Sequence, residues 1–139
     1  MAQPAMGMPA PGRFLRGMQF EKMRMQVAAE TLAGEVDRLI PRIRGQAARQ
    51  VDHLERSADS VVFNIAEGIA SFKPAIKINA YDIARREANE VRAVLRRLCQ
   101  KGVLSEVEIV KPYNLAGACM AMLSHAIIAQ EKRIAEPPR

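Results

Sequence analysis

The sequence predicts an all-α protein that folds as an antiparallel, up-down-up-down four-helix bundle. Aromatic residues make up only 4% of the 139 residues, so aliphatic side chains and methionine must form the core. Apolar residues also recur at helical spacing in four long segments, with no competing β pattern. Short connections between long neighbouring helices favour antiparallel packing.

The N-terminal segment, residues 1–16, is rich in Pro, Met and Ala. It lacks the apolar core of a signal peptide, and we therefore predict a disordered tail before a bundle that occupies 17–135. No apolar run approaches the roughly 18 residues needed to cross a bilayer. These features predict a cytoplasmic protein without a membrane partner.

The first helix is predicted over about 17–40. Its apolar stripe advances in steps of seven, four and three residues and comprises Met18, Met25, Ala29, Leu32, Val36, Leu39 and Ile43. Pro41 is expected to end or kink this helix, because proline disfavours helical geometry in the residue before it.

The second helix is predicted over about 45–71, stopping before Pro74. Its stripe covers an arc of roughly 100° on a helical wheel and comprises Val51, Leu54, Ala58, Val61, Val62, Ile65, Ile69 and Phe72. The third helix is predicted over about 74–101. Proline costs little in a first turn, and Gly102 is a natural C-terminal stop.

The fourth helix is predicted over about 105–133. Ser105 and Glu108 have the spacing of a capping box, which marks its first turn. Pro112 falls early in this segment, before the apolar stripe continues.

Small and polar residues form a second strip on the second helix: Ser57, Ser60, Asn64, Gly68 and Ser71. We expect a neighbouring helix to approach closely at Gly68, since glycine in a helix costs about 1 kcal/mol and needs a reason. Asn64 is expected to pair with a backbone or carboxylate group across the gap. Phe63 points away from the core, either as an isolated exposed side chain or as part of a contact between subunits.

Two segments carry a family resemblance. "RSADSVVFNIAEG" (56–68) and "IARREANEVRAVL" (83–95) resemble the four-helix bundle family encoded in intervening sequences of bacterial 23S rRNA genes. The matching positions are Arg56, Ser60, Asn64, Ile65, Ala66, Glu67, Gly68, Ile83, Ala84, Glu90 and Leu95. The sequence departs from the pattern at Val62, where proline is frequent, at Phe63, where a small polar residue is common, and at the pair Arg86 and Glu87, where small residues are usual.

The resemblance implies a four-helix bundle, often a homopentamer, without established enzymatic activity. A similar bundle is the accessory variability determinant of diversity-generating retroelements, a basic pentamer that engages a reverse transcriptase and nucleic acid. The residues expected to form an oligomer or helix contact are Ser60, Phe63, Asn64, Glu67, Gly68 and Glu90.

The chain is basic, with 21 Lys and Arg against 15 Asp and Glu and a net charge of +6. Arg85, Arg92 and Arg96 align with Asn89 on one strip of the third helix, opposite its apolar face. This strip is a candidate for phosphate contacts with nucleic acid, and an ordinary solvated face is the other interpretation.

No pattern of catalytic residues is evident. The sequence has no Glu-x-x-His pair, no recognisable Ser-His-Asp or Cys-His set and no glycine-rich phosphate loop. We therefore expect no enzymatic activity, no metal site and no cofactor. Glu87 falls inside the apolar arc of the third helix, where an ion pair with an arginine of a neighbouring helix or subunit is expected.

Together these features predict a non-enzymatic, homo-oligomeric scaffold, with a pentamer favoured, that binds RNA or an RNA-handling complex through its basic surface. The alternative is a protein–protein interaction adaptor without direct nucleic-acid contact.

Overall fold

The structure is a computed structural model that describes residues 18–136. Four α-helices make up its regular structure: α1 spans Met18–Ile43, α2 Ala48–Ala70, α3 Pro74–Gln100 and α4 Glu106–Ala135. The described residues contain no strand. The predicted all-α, four-helix fold is confirmed, and the predicted tail lies outside the described residues.

The helices form a closed ring in which each packs on two others. α1 contacts α2 and α4, and α3 contacts the same two helices. Contacting residues run in opposite numerical order along neighbouring helices, as in the pairs Glu35–Lys111 and Met25–His125, His53–Glu90 and Gly68–Tyr81, and Arg85–Ser124 and Arg92–Gly117. This order is consistent with the predicted up-down-up-down arrangement.

The core is almost entirely aliphatic. Its largest fully buried side chains come from all four helices and include Leu32, Val36, Leu54, Val61, Ile65, Leu95, Leu98 and Leu123. Burying each such side chain contributes about 1.5–3 kcal/mol. The one large aromatic ring among the fully buried residues belongs to Tyr81 on α3.

α1 extends beyond its predicted end at residue 40. The helix continues through the exposed Pro41 and ends at Ile43. Proline removes one backbone hydrogen bond from this last turn. Ile43 is fully buried and Ala47 nearly so, and their packing holds the turn in place despite that loss.

The other correction concerns the connection between α2 and α3. Phe72 was expected on the inward stripe of α2, but that helix ends at Ala70 and Phe72 is 93% exposed. It lies in the three-residue connection 71–73, where Pro74 opens the next helix. α2 also begins three residues later than predicted, at Ala48.

Among residues 18–136, none of the four helices has the length and apolar character of a membrane span.

Candidate functional site

Arg85, the first residue of the predicted basic strip, leans on α4 instead of pointing away from the core. Its Nη2 donates to Asp82 Oδ1 at 2.8 Å, and its Nη1 donates to Ser124 Oγ at 3.2 Å. The same aspartate accepts from Arg86 Nε at 3.2 Å. Arg85 is therefore anchored against α4 and shares one carboxylate with Arg86, and its predicted position opposite the core was wrong.

Arg92, the second residue of the strip, is also half-buried against α4. Its guanidinium carbon lies 4.3 Å from the centroid of the Tyr113 ring, and Nη1 lies 3.7 Å from Met120 Sδ. The guanidinium passes over Gly117, where an added Cβ would be 3.9 Å from Arg92 Cζ. Tyrosine, thioether and glycine of α4 thus hold the guanidinium in place without a charged partner.

The Nε of Arg92 is buried and has no hydrogen-bond acceptor among the described residues. Stacking on an aromatic ring contributes about 0.5–2 kcal/mol for such a cation. An unpaired buried donor costs about 1–3 kcal/mol, which is similar in size to the gain from the stack. Among the described residues Arg92 is therefore a half-buried cation with no ion pair and with one unpaired donor.

Arg96 lies one turn further along α3 and is exposed. Neither Arg92 nor Arg96 forms an ion pair with any described residue, in contrast to Arg85. Sequence reasoning identified the three arginines but missed Tyr113 and Met120. The register between α3 and α4, which brings these side chains together, cannot be read from either helix alone.

The small-residue strip of α2 does produce a close contact at Gly68. A Cβ built there would lie 2.4 Å from Tyr81 Cε1, so no larger residue fits without displacing the ring. Tyr81 is 1% exposed and belongs to α3. The approaching group is therefore a tyrosine ring and not a bare backbone.

Asn64 does not reach across to another helix, which corrects that expectation. Its Nδ2 donates to the carbonyl and the hydroxyl of Ser60, at 2.9 and 3.0 Å, within α2 itself. Glu90 pairs with His53 of α2, with 3.2 Å between carboxylate and ring nitrogen. Gly68 and Glu90 thus make contacts inside one chain.

The remaining residues of this set lie on the outer face of α2. Phe63 is 67% exposed, Glu67 is exposed, and Ser60 and Asn64 are half-buried. All of them except Glu67 border a shallow groove of about 510 Å³, lined by Asp52, Glu55, Arg56, Asp59, Ser60, Phe63 and Asn64. An exposed aromatic ring among carboxylates is a surface suited to a protein partner.

Glu87 is half-buried and forms no ion pair with any described residue. The expected pairing with an arginine of a neighbouring helix is therefore not present. Water can solvate a half-buried carboxylate, so it needs no partner within the chain. A partner from another subunit stays a prediction.

Lys77 is a buried cation that sequence reasoning missed. Its ammonium donates to the carbonyls of Gly68 at 2.8 Å and Ile69 at 3.3 Å, at the C-terminal end of α2. Burial, together with the neighbouring Lys22 and the charge of Arg133, lowers the pKa of Lys77 to about 8. The signal was its spacing, three residues before Ala80, which places it on the inward stripe of α3.

The described residues contain no group of three or more His, Cys, Asp or Glu side chains arranged to hold a metal ion. Asp82, the carboxylate in contact with the arginine strip, is paired with Arg85 and Arg86.

Comparison with known proteins identifies a family and a similar solved structure. The sequence model of the family described as 23S rRNA-intervening sequence protein matches residues 21–125. The chain is also similar to a crystal structure of a protein of unknown function from Bacteroides thetaiotaomicron, described as a member of the S23 ribosomal protein family. That similarity has a TM-score of 0.72 at 20% identity and covers 77% of this chain and 97% of the other. No curated protein matches this sequence.

Proposed function

Because the chain belongs to the 23S rRNA-intervening sequence protein family, we propose that it is a non-enzymatic, homo-oligomeric scaffold that binds RNA or an RNA-handling complex. The observation that supports this proposal is the uncompensated charge of Arg92 and Arg96 on α3. We assign these two residues to the contact with phosphates, and Arg85 to positioning the strip against α4.

Arg92 is prepared for such a contact by its surroundings. A free arginine side chain loses rotamer freedom when it binds, and Tyr113 and Met120 have already restricted that freedom here. The guanidinium fork can bind two phosphate oxygens side by side, which a lysine cannot do. The affinity should therefore depend on the shape of the cation as well as its charge.

The net charge of +6 favours the approach of a polyanion over long distances. The strip offers arginines but no row of aromatic rings, so contacts are with the phosphate backbone and not with stacked bases. Binding of this kind weakens steeply as salt increases, because the protein releases condensed counterions from the RNA.

Replacing Arg96 with Gln tests the proposal. We expect Arg96→Gln to weaken binding of a structured 23S rRNA fragment and to reduce the slope of log affinity against log salt by about 0.7–0.9. Fluorescence anisotropy titrations at several salt concentrations measure both quantities. Arg92→Lys should also weaken binding although it keeps the charge, because the stacked fork is lost.

Arg49→Gln is the matched control, since Arg49 is an exposed arginine on α2 and the variant carries the same change in net charge. Equal effects of Arg49→Gln and Arg96→Gln would show that general charge, and not the strip, determines binding. An affinity unaffected by salt in the wild-type protein would contradict the proposal altogether.

The exposed Phe63 supports a second candidate function, that of a protein–protein interaction adaptor. A partner held at the groove of α2 mainly by the apolar surface of Phe63 would form a complex that tolerates salt, because ions do not screen apolar contacts. Recovery of a partner after nuclease treatment, lost in Phe63→Ser but kept in Arg96→Gln, would favour this function over RNA binding.

A further inference from the structure

Three cations meet at one end of the bundle. Lys22 lies near the start of α1, Lys77 near the start of α3 and Arg133 in the last turn of α4. The charges of Lys22 and Arg133 both lower the pKa of Lys77, and Lys22 lies beside Gln130, the hydrogen-bond partner of Arg133, in the lining of one small cavity. No described residue forms an ion pair with any of these three residues, which we call the end cluster.

Lys77 is the buried member, with 2% of its surface exposed. Two of the three donors of its ammonium bind the carbonyls at the end of α2. A buried charge without an opposite charge is costly, and a second ammonium beside it adds repulsion. Helix-end carbonyls offset part of this cost, since a helix C-terminus carries partial negative charge.

A small cavity of about 30 Å³ opens beside the end cluster. Its lining comprises Glu21, Lys22, Met25, Tyr81, Ala126, Ala129 and Gln130. Gln130 is 3% exposed, and its Oε1 accepts from Arg133 Nη1 at 3.0 Å. The volume admits one or two water-sized groups. It can therefore take a terminal oxygen of a ligand, but not a whole organic molecule.

We propose that the end cluster binds a phosphate group, with one terminal oxygen in the cavity beside Lys22 and the remaining oxygens toward Arg133. A phosphate supplies the opposite charge that the cluster lacks, and Gln130 positions Arg133 for the contact. This proposal does not depend on RNA binding at α3, because the end cluster and the arginine strip share no residue.

Glu21 is the one carboxylate that lines the cavity, and it is exposed. It lies next to Lys22 in the chain and opposes the entry of an anion. Because Glu21 repels an anion and Lys22 attracts it, substitutions of these two residues are expected to have opposite effects on phosphate binding. Lys22→Gln should weaken phosphate binding, and Glu21→Gln should strengthen it.

Thermal unfolding in inorganic phosphate, compared with chloride at equal ionic strength, measures the binding. A ligand that binds only the folded state raises the melting temperature in a saturable manner. Because phosphate also stabilises proteins by exclusion from their surface, the comparison is made between variants, on which exclusion acts alike. We expect Lys22→Gln to weaken the phosphate affinity about tenfold, the effect of losing one charged hydrogen bond.

Lys73→Gln is the matched control, since Lys73 is an exposed lysine in the connection at the same end of the bundle. It should leave the phosphate effect unchanged. Lys77→Met removes the contacts at the end of α2 and is expected to destabilise the fold, and so the test uses variants of the more exposed Glu21, Lys22 and Arg133.

A pair of oligoribonucleotides, with and without a 5′-phosphate, identifies the source of the phosphate. Tighter binding of the phosphorylated oligonucleotide, abolished by Lys22→Gln, assigns the site to an RNA end. Equal binding of the two, with the inorganic phosphate effect still dependent on Lys22, assigns it to a free phosphate or small phosphate ester. Equal stabilisation of wild type, Lys22→Gln and Lys73→Gln by phosphate would overturn the proposal.

Discussion

At the scale of single residues, Gly68 and Tyr81 form a close contact between α2 and α3. The ring fills the space that any side chain at position 68 would need. Ala has a helix propensity about 1 kcal/mol better than Gly, so propensity alone favours substitution. Tyr81 is fully buried and cannot rotate into solvent, and packing therefore outweighs propensity at this position.

We expect Gly68→Ala to lower the free energy of unfolding by about 1–3 kcal/mol, the usual cost of overpacking a core. Gly34→Ala is the control, since Gly34 lies within α1 with no atom within 4 Å of an added Cβ. That variant should raise the free energy of unfolding by up to about 1 kcal/mol. Urea denaturation measures both, and effects of the same sign would contradict the packing argument.

The sequence predicts a residue's role when one helix alone determines it, and fails to do so when the packing of two helices determines it. Gly68 was recognisable as a contact because glycine inside an apolar helix needs a reason. Tyr81, Lys77 and Tyr113 were not recognisable as its counterparts or as site residues, because their contacts depend on the register between helices. The predicted position of Arg92 was wrong for the same reason. A helical wheel of α3 does not show which of its residues α4 contacts.

At the scale of helices, the start of α4 is the best-defined boundary. The capping box predicted from the sequence is formed: Glu108 N donates to Ser105 Oγ at 3.2 Å, and Ser105 N donates to Glu108 Oε1 at 3.0 Å. The carboxylate of Glu108 also receives both guanidinium donors of Arg42 on α1. One side chain thus starts α4 and joins it to the end of α1.

The end of α1 was less predictable than the start of α4. A capping box is a local pattern of two residues. The tendency of Pro41 to end the helix, in contrast, is outweighed by the burial of Ile43 and Ala47 in the core. In the same way, apolar residues recur at helical spacing along α2 up to Phe72, but Pro74 ends the helix before Phe72 can pack against the core.

The ion pair at the start of α4 should make stability depend on pH. Arg42 and the Ser105 cap lower the pKa of Glu108 from 4.5 to about 2. A carboxyl whose pKa is lower in the folded chain adds stability above pH 4.5, and that stability is lost as the pH falls toward 2. Glu108→Gln keeps the capping geometry but removes the charge.

We therefore expect wild type to be more stable than Glu108→Gln at pH 7, with a difference that shrinks between pH 4.5 and pH 2. Glu106→Gln, in the same helical turn, is the control and should show a smaller difference. Denaturation at a series of pH values checks this expectation. A constant difference between wild type and Glu108→Gln would show that the ion pair with Arg42 is not responsible.

At the scale of the whole molecule, much apolar surface remains uncovered. α4 exposes Val107, Val110 and Ile128, and α2 exposes Phe63, each at half or more of its surface. A helix with apolar residues on several faces is usually buried on several faces. These surfaces support the proposed self-association, in which Phe63 is assigned to a contact between copies or with a partner.

We expect light scattering to give a mass that is a multiple of the 15.4 kDa chain, with five copies favoured. Phe63→Ser should reduce that mass, because it removes the aromatic ring from the outer face of α2. Phe72→Ser, which removes an even more exposed ring from the α2–α3 connection, should leave it unchanged. A wild-type mass of one chain would exclude the scaffold and leave a monomeric adaptor.

The ring of helices also has a consequence for the order of folding. Three of its four contacts join helices that follow each other in the chain, and only the contact of α1 with α4 joins distant segments. Arg42 and Glu108, which meet across that seam, are 66 residues apart. Contacts between helices that are adjacent in sequence form rapidly because they close short loops. The contact between α1 and α4 closes a long loop, which costs more conformational entropy. We therefore expect closure of α1 onto α4 to be the slowest step in the folding of the bundle.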